Sequence, residues 1–190
     1  GFFAAISAKE HHPSAQVTLY EKTTKVLSKV KVSGGGRCNV THDCQDIPEL
    51  IMAYPRGGKG LTSIFYAFQP ADTIRWFEER GVSLKVEKDG RMFPISDSSQ
   101  SIIDCLQKEF TAKEIELKQS SAVKQLIKDE NRWSLRLNDD QTESFDCVIV
   151  TTGGSPKQTG FDWLADLGLD IIPPVPSLFT FNMPNEEIKT

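Results

Sequence analysis

Apolar positions along the chain recur at two spacings, one helical and one alternating. Phe2, Ala5 and Ile6 share one face of a helix over residues 1–12, which Pro13 stops. Val17–Tyr20 alternates as a short strand does and closes on Glu21. Residues 22–60 carry no sustained period, so the pattern predicts mostly loop there. Leu61–Phe68 and Ala71–Arg80 then read as two helices parted by Gln69-Pro70, with Ile74, Phe77 and Trp76 toward a core and Gly81 as the stop. Val82–Val86 and Arg91–Pro94 are predicted strands of a hairpin that turns at Lys88-Asp89-Gly90. Asp97 or Ser98 caps a helix through Ala112, with Ile102, Ile103, Leu106 and Phe110 inward. Ile115–Leu117 is a brief strand, and Ser121–Lys128, Trp133–Leu137 and Glu143–Phe145 suggest an antiparallel meander. Cys147–Val150 is an unbroken apolar run, the signature of a parallel strand covered on both faces. Asp162–Leu167 is a short helix, and the proline-rich 171–176 stretch breaks the pattern as a linker would.

The alternation of helix and strand predicts an α/β fold. Helix, turn, strand and then an acid about twenty residues after a glycine form the second half of a dinucleotide-binding βαβ unit. Gly1 stands where the last glycine of that unit belongs, and Glu21 where the ribose-binding acid does. Alone the half-fingerprint is weak, because an acid ending a strand is commonly a solvated turn residue. A second stretch, Ser33-Gly34-Gly35-Gly36-Arg37-Cys38-Asn39, adds weight. Three consecutive glycines give a backbone that can lie against a ligand, Arg37 adds a guanidinium fork, and Asn39 can donate and accept at a ring edge. Thr151-Thr152-Gly153-Gly154-Ser155, after the apolar run, offers small residues of the same kind. The glycine loop at 57–60 is not a phosphate-binding P-loop: Gly60 follows Lys59 where Ser or Thr is required, and Ala53 replaces the leading glycine.

Composition narrows the classes. The 190 residues are 38% hydrophobic and 25% charged, as in a globular domain with a core. A net charge of −4 gives no global attraction for nucleic acid or an anionic membrane, and no apolar run approaches the roughly 20 residues of a span. Cys38, Cys44, Cys105 and Cys147 form neither a CxxC pair nor a zinc spacing, which fits a reduced, cytoplasmic setting. Cys38 and Cys44 are too widely spaced for the common redox pair, His42 reads as a solvated loop residue, and Arg91 reads as a pin for its hairpin. The sequence opens on Gly1 as though inside a helix, so its natural N-terminus is expected upstream.

Four stretches together resemble the bacterial aminoacetone-oxidase-like (BaiN-type) FAD-binding flavoproteins, which have a glutathione-reductase-type FAD fold. These are Gly1–Ile6 with Glu21-Lys22, the SGGGRCNVT segment at 33–41, Gly90-Arg91-Met92-Phe93-Pro94, and Thr152–Ser155 with Pro173-Pro174 and Pro176–Leu178. Leu27 and Ser28 depart from the family, which commonly has Gly and a basic residue there; this version is similar to a cyanobacterial and plastid branch. The resemblance implies a Rossmann-like FAD domain over 1–170 with a β-meander, lacking its first strand, and the start of an inserted domain over 171–190. The chain is then an N-terminal fragment of a protein about twice as long. By position, Gly1 would face the FAD pyrophosphate, Glu21 would hold the adenosine ribose, Gly34, Gly35 and Gly36 would run under the cofactor, and Arg37, Cys38 and Asn39 would lie near the flavin or its ribityl chain, with Lys22 and Ser33 also among the cofactor-binding residues. Val123 would meet the adenine edge, and Thr152, Gly153 and Gly154 would close over phosphates and ribose. Implied is a flavin-dependent oxidoreductase acting on a small organic substrate, with NAD(P)H or oxygen as electron partner. No catalytic acid or base and no metal ligand is singled out. A flavin-linked RNA-modifying enzyme is disfavoured by the acidic balance. A redox-sensing module that does not turn over, or a fragment that binds no cofactor, stays open.

Overall fold

A computed structural model of the protein describes residues 1–155 and 158–175, and they divide into two compact units, 1–122 and 123 onward. In the first unit the apolar stripe of α1 (Phe2–His11) buries Phe2, Ala5 and Ile6, and Ile6 has no exposed surface. That stripe packs on α6 (Ser99–Ala112), where Phe2 and Phe110 stack with ring centroids 4.6 Å apart. Ser98 caps α6 by accepting from the Gln100 N–H at 3.2 Å, and Ile102, Ile103, Leu106 and Phe110 are all buried. Each such side chain contributes roughly 1.5–3 kcal/mol when fully buried, so this helix pair is the unit's main source of cohesion.

Beside it, β1 (Thr18–Tyr20) runs parallel to β5 (Glu116–Lys118), with Thr18 opposite Glu116 and Tyr20 opposite Lys118. The ladder continues one step beyond β1, because Glu21 donates its N–H to Lys118 O at 2.9 Å. A second, antiparallel sheet has the order β2 (Thr41–His42), β4 (Arg91–Pro94), β3 (Leu84–Val86). The helix before it, α5 (Pro70–Glu78), starts with a capping box between Gln69 and Asp72 and ends at Gly81, whose φ of 82° lets Val82 N–H reach back to Phe77 O.

One expectation is refined here and one corrected. Residues 22–60 are loop over most of their length but not throughout. They hold α2 (Ser28–Val32), α3 (Ile47–Met52) and the first turn of α4, which spans Gly58–Ala67 rather than starting at Leu61. The two short helices are too brief to show a period. Asp46 sets α3 by accepting from Glu49 N–H at 2.8 Å with a proline in the first turn. Cys147–Val150, predicted to be a buried strand, pairs with no strand among the described residues, and Ile149 and Val150 are exposed. An apolar run acquires strand geometry only from a neighbour that takes up its N–H and C=O groups.

The second unit is the expected meander, β6 (Val123–Lys128), β7 (Trp133–Leu137) and β8 (Thr142–Phe145). Leu126 faces Leu135 across the ladder and both are buried with Leu137, which gives this sheet one apolar face. The register slips between Val123 and Gln125. Further on, α7 (Asp162–Ala165) is the predicted short helix, and residues 171–175 of the linker have no regular structure. The remainder of that linker and the start of the expected second domain lie outside the described residues.

Candidate functional site

The SGGGRCN segment leaves α2 as one tight turn. Gly34 (φ 55°, ψ 33°) and Gly35 (φ 68°, ψ 30°) are left-handed, and Gly36 follows at φ 87°. The turn is closed by Cys38 N–H donating to Ser33 O at 2.9 Å, with Cys38 itself left-handed at φ 62° and buried. A non-glycine residue in that region is strained, and burial of its thiol in the core is what holds it there. Asn39, with its amide nitrogen turned toward the carbonyls, donates to Met92 O at 3.2 Å and Thr41 O at 2.9 Å. Asn39 therefore fastens the loop to β4.

The two sides of this turn differ. A Cβ on Gly34 would sit 2.7 Å from Asn39 N and 2.9 Å from Phe93 Cε1, so the inner side is filled by the β4 phenyl ring. A Cβ on Gly35 would meet nothing within 4 Å, and one on Gly36 only Lys31 O at 4.0 Å. The outer backbone face is open.

Arg37 extends from the turn over the Phe93 ring, 4.0 Å from its centroid, and its Nη1 lies 2.5 Å from Glu87 Oε1 and 3.6 Å from Asp97 Oδ1. The Glu87 hydrogen bond raises the already high pKa of the guanidinium, against partial desolvation, so the charge is permanent. Asp97 also takes Lys85, which is first among the causes that hold its carboxyl below the usual range. On the same hairpin Arg91 pairs with Asp89 at 2.7 Å and Glu87 at 3.5 Å, the pin expected of it. His42 Nε2 lies 3.0 Å from Asp89 O, against Gly90.

Elsewhere in the first unit, Gly1 opens α1 and Glu21 follows β1. Glu21 Oε1 accepts from Thr23 N–H and Oγ1, both at 2.8 Å, and Lys22 is exposed. Val123 opens the meander, and Thr152, Gly153 and Gly154 are exposed in an irregular stretch of the second unit, with Gly153 at φ 75°. The first unit thus gathers Ser33–Asn39 on its hairpin, and Gly1 and Glu21 stand at the start of α1 and the end of β1. Glu87, Asp97 and Phe93 were not singled out as site residues from sequence. Glu87 showed only as part of the charge alternation along Lys85, Glu87, Asp89 and Arg91, Phe93 as a member of the Gly90–Pro94 stretch, and Asp97 as a helix-cap candidate.

Residues 1–175 match the HI0933-like protein Rossmann domain. The chain belongs to that family. The Rossmann-like α/β class is accordingly the fold of this chain, and the resemblance drawn from the SGGGRCNVT segment is borne out. Among relatives of the family's chain here, a 3-dehydro-bile acid delta(4,6)-reductase of Clostridium scindens is 25% identical over 184 residues, 94% of this chain and 44% of that protein. A ribosomal RNA dihydrouridine synthase of Escherichia coli is 26% identical over 183 residues, 93% of this chain and 44% of that protein. Its counterpart from Haemophilus influenzae is 25% identical over 174 residues, 87% and 42%. The chain of this HI0933-like protein spans less than half the length of the relatives it matches.

Proposed function

We propose that the protein is an FAD-dependent reductase of a carbon–carbon double bond conjugated to a carbonyl. The observation that carries the cofactor assignment is the left-handed glycine turn, packed on its inner side by Phe93 and open on its outer side. An isoalloxazine or its ribityl chain can lie against such a backbone without meeting a side chain. The first-turn N–H groups of α1 have no partner within the helix and favour the pyrophosphate. Thr23 fixes the orientation of the Glu21 carboxylate through Oε1, so that Oε2 is presented to ribose hydroxyls. Lys22, and in the second unit Val123, Thr152, Gly153 and Gly154, are assigned from the family resemblance alone. FAD, once bound, supplies a hydride from reduced N5, and NADH or NADPH is the proposed electron source.

The substrate class rests on what the two kinds of relative share. A 3-dehydro bile acid with delta-4,6 unsaturation and the uracil ring of uridine both present C=C conjugated to C=O, which accepts hydride at its far carbon and a proton at the near one. The synthases favour an RNA substrate and the bile acid reductase a small molecule. A visible absorption spectrum of the intact protein, before and after denaturation and after NADH or NADPH, tests the assignment. Expected is a flavin spectrum, released on unfolding and bleached by one nicotinamide, then regained on adding an unsaturated ketone or unmodified ribosomal RNA. A colourless protein that takes up no added FAD would overturn it.

A further inference from the structure

Arg37 is the one cation of the glycine loop, and the simplest role for it is to meet an anionic or carbonyl group of a ligand. Its surroundings argue otherwise. The guanidinium lies over the Phe93 ring and its Nη1 is already engaged by Glu87 and Asp97, with one third of the side chain exposed. Arg37, Lys85 and Arg91 are matched by Glu87, Asp89 and Asp97 in a continuous set of contacts along the β3–β4 hairpin. Of these carboxylates Glu87 is the most enclosed, and it bridges the loop's Arg37 to the hairpin's own Arg91. The loop's ends have separate anchors: Ser99 Oγ donates to Lys31 O at 2.9 Å, and Val40 N–H to Met92 O at 2.9 Å. Between them the Arg37 side chain ties the loop's middle to a residue 50 positions away.

We propose that Glu87 is a positioning residue for the ligand-facing backbone of Gly34–Asn39, acting through Arg37 and its stack on Phe93. Without the Glu87 carboxylate, Arg37 keeps only the more distant Asp97 and its attraction to the ring, and loses its short, directional hold over the ring, which is the floor on which Gly34 rests. A carboxylate fixing a stacked arginine is directional, because the fork accepts a partner only in its own plane. The proposal rests on the flavin reading for its ligand and not for its geometry.

The test uses the intact protein with Glu87→Gln, Arg37→Lys and the swapped pair Arg37→Glu with Glu87→Arg. Amide hydrogen exchange over residues 34–39 is measured without added flavin, and FAD affinity and the flavin spectrum are measured with it. Glu87→Gln keeps shape and removes charge, so it is expected to fold. Exchange at 34–39 should rise at least tenfold in both single variants. FAD affinity should fall several-fold with an altered band shape, and the swapped pair should recover part of each. Exchange within twofold of wild type in Glu87→Gln would overturn the proposal, and so would unchanged affinity and spectrum in a wild type that holds FAD. A wild type that takes up no FAD would defeat the flavin reading, and the exchange rates alone would then decide the role of Glu87.

Discussion

Gly34 and Gly35 are neighbours with nearly the same backbone angles and should respond differently to the same substitution. Alanine at Gly35 meets open space and incurs only the left-handed penalty, about 1–2 kcal/mol. Alanine at Gly34 adds a clash with backbone nitrogen and a buried ring, for a total of about 2–5 kcal/mol. Urea midpoints of the two variants should therefore separate, with Gly34→Ala the lower. Glu21→Ala is the complementary case, because its carboxylate contributes little to the core. FAD affinity should fall about 10- to 100-fold, as expected for charge-assisted bonds worth roughly 1.5–3 kcal/mol, with the thermal midpoint nearly unchanged. Equal affinity in wild type and variant, by titration of FAD fluorescence, would remove Glu21 from the site. At this scale the motif residues were legible because glycine, arginine and asparagine each carry a distinct chemistry in one short stretch. Glu87 was not, because its partner is 50 residues distant and the pairing exists only once the loop and hairpin meet.

Among elements, the hairpin and α6 were legible in the sequence from alternation, a turn glycine and a capped apolar stripe. The short helices α2 and α3 were not, since one or two turns cannot display a period, and capping and packing decide them instead. The joint between α1, α5 and α6 was hidden for a similar reason. Arg80 lies over Trp76 at 4.0 Å, pairs with Glu10 at 2.8 Å, and approaches Glu109 at 3.2 Å off the hydrogen-bonding line, while Lys113 reaches Glu10 at 3.1 Å. Burial alone would raise the Glu10 pKa, but Lys113 and Arg80 outweigh it and hold the carboxyl below its ordinary range. A depressed folded-state value means that Glu10 stabilises the fold above the ordinary carboxylate pKa of about 4.3 and loses that contribution as pH falls through its own, lower value. Urea midpoints at pH 7 and pH 3 should therefore differ less in Glu10→Gln than in wild type. Arg80→Met should lower stability by about 1–3 kcal/mol, because it leaves two acids facing one lysine. A loss below a few tenths would show that the cluster is solvated.

For the molecule as a whole, composition speaks only to chain-wide attraction. A net charge of −4 gives none for nucleic acid. Total charge averages over every face and is silent about a local surface. The apolar run at 147–150 did mislead, since its pattern was right for a strand but pairing is a property of two segments. Sequence distance has another consequence at this scale. Thr18 and Glu116, opposed in the only parallel pair among the described residues, are 98 positions apart, whereas the β3–β4 hairpin closes within a few. Closing the larger loop costs more entropy before any contact returns it, and non-local pairing slows folding. A newly made chain would therefore complete its hairpin floor early and join β1 to β5 late, when α6 and β5 have been synthesised. Glu21 takes up its final place only with that pairing, so the carboxylate proposed to meet a ribose would be set after the hairpin beneath the glycine turn has formed.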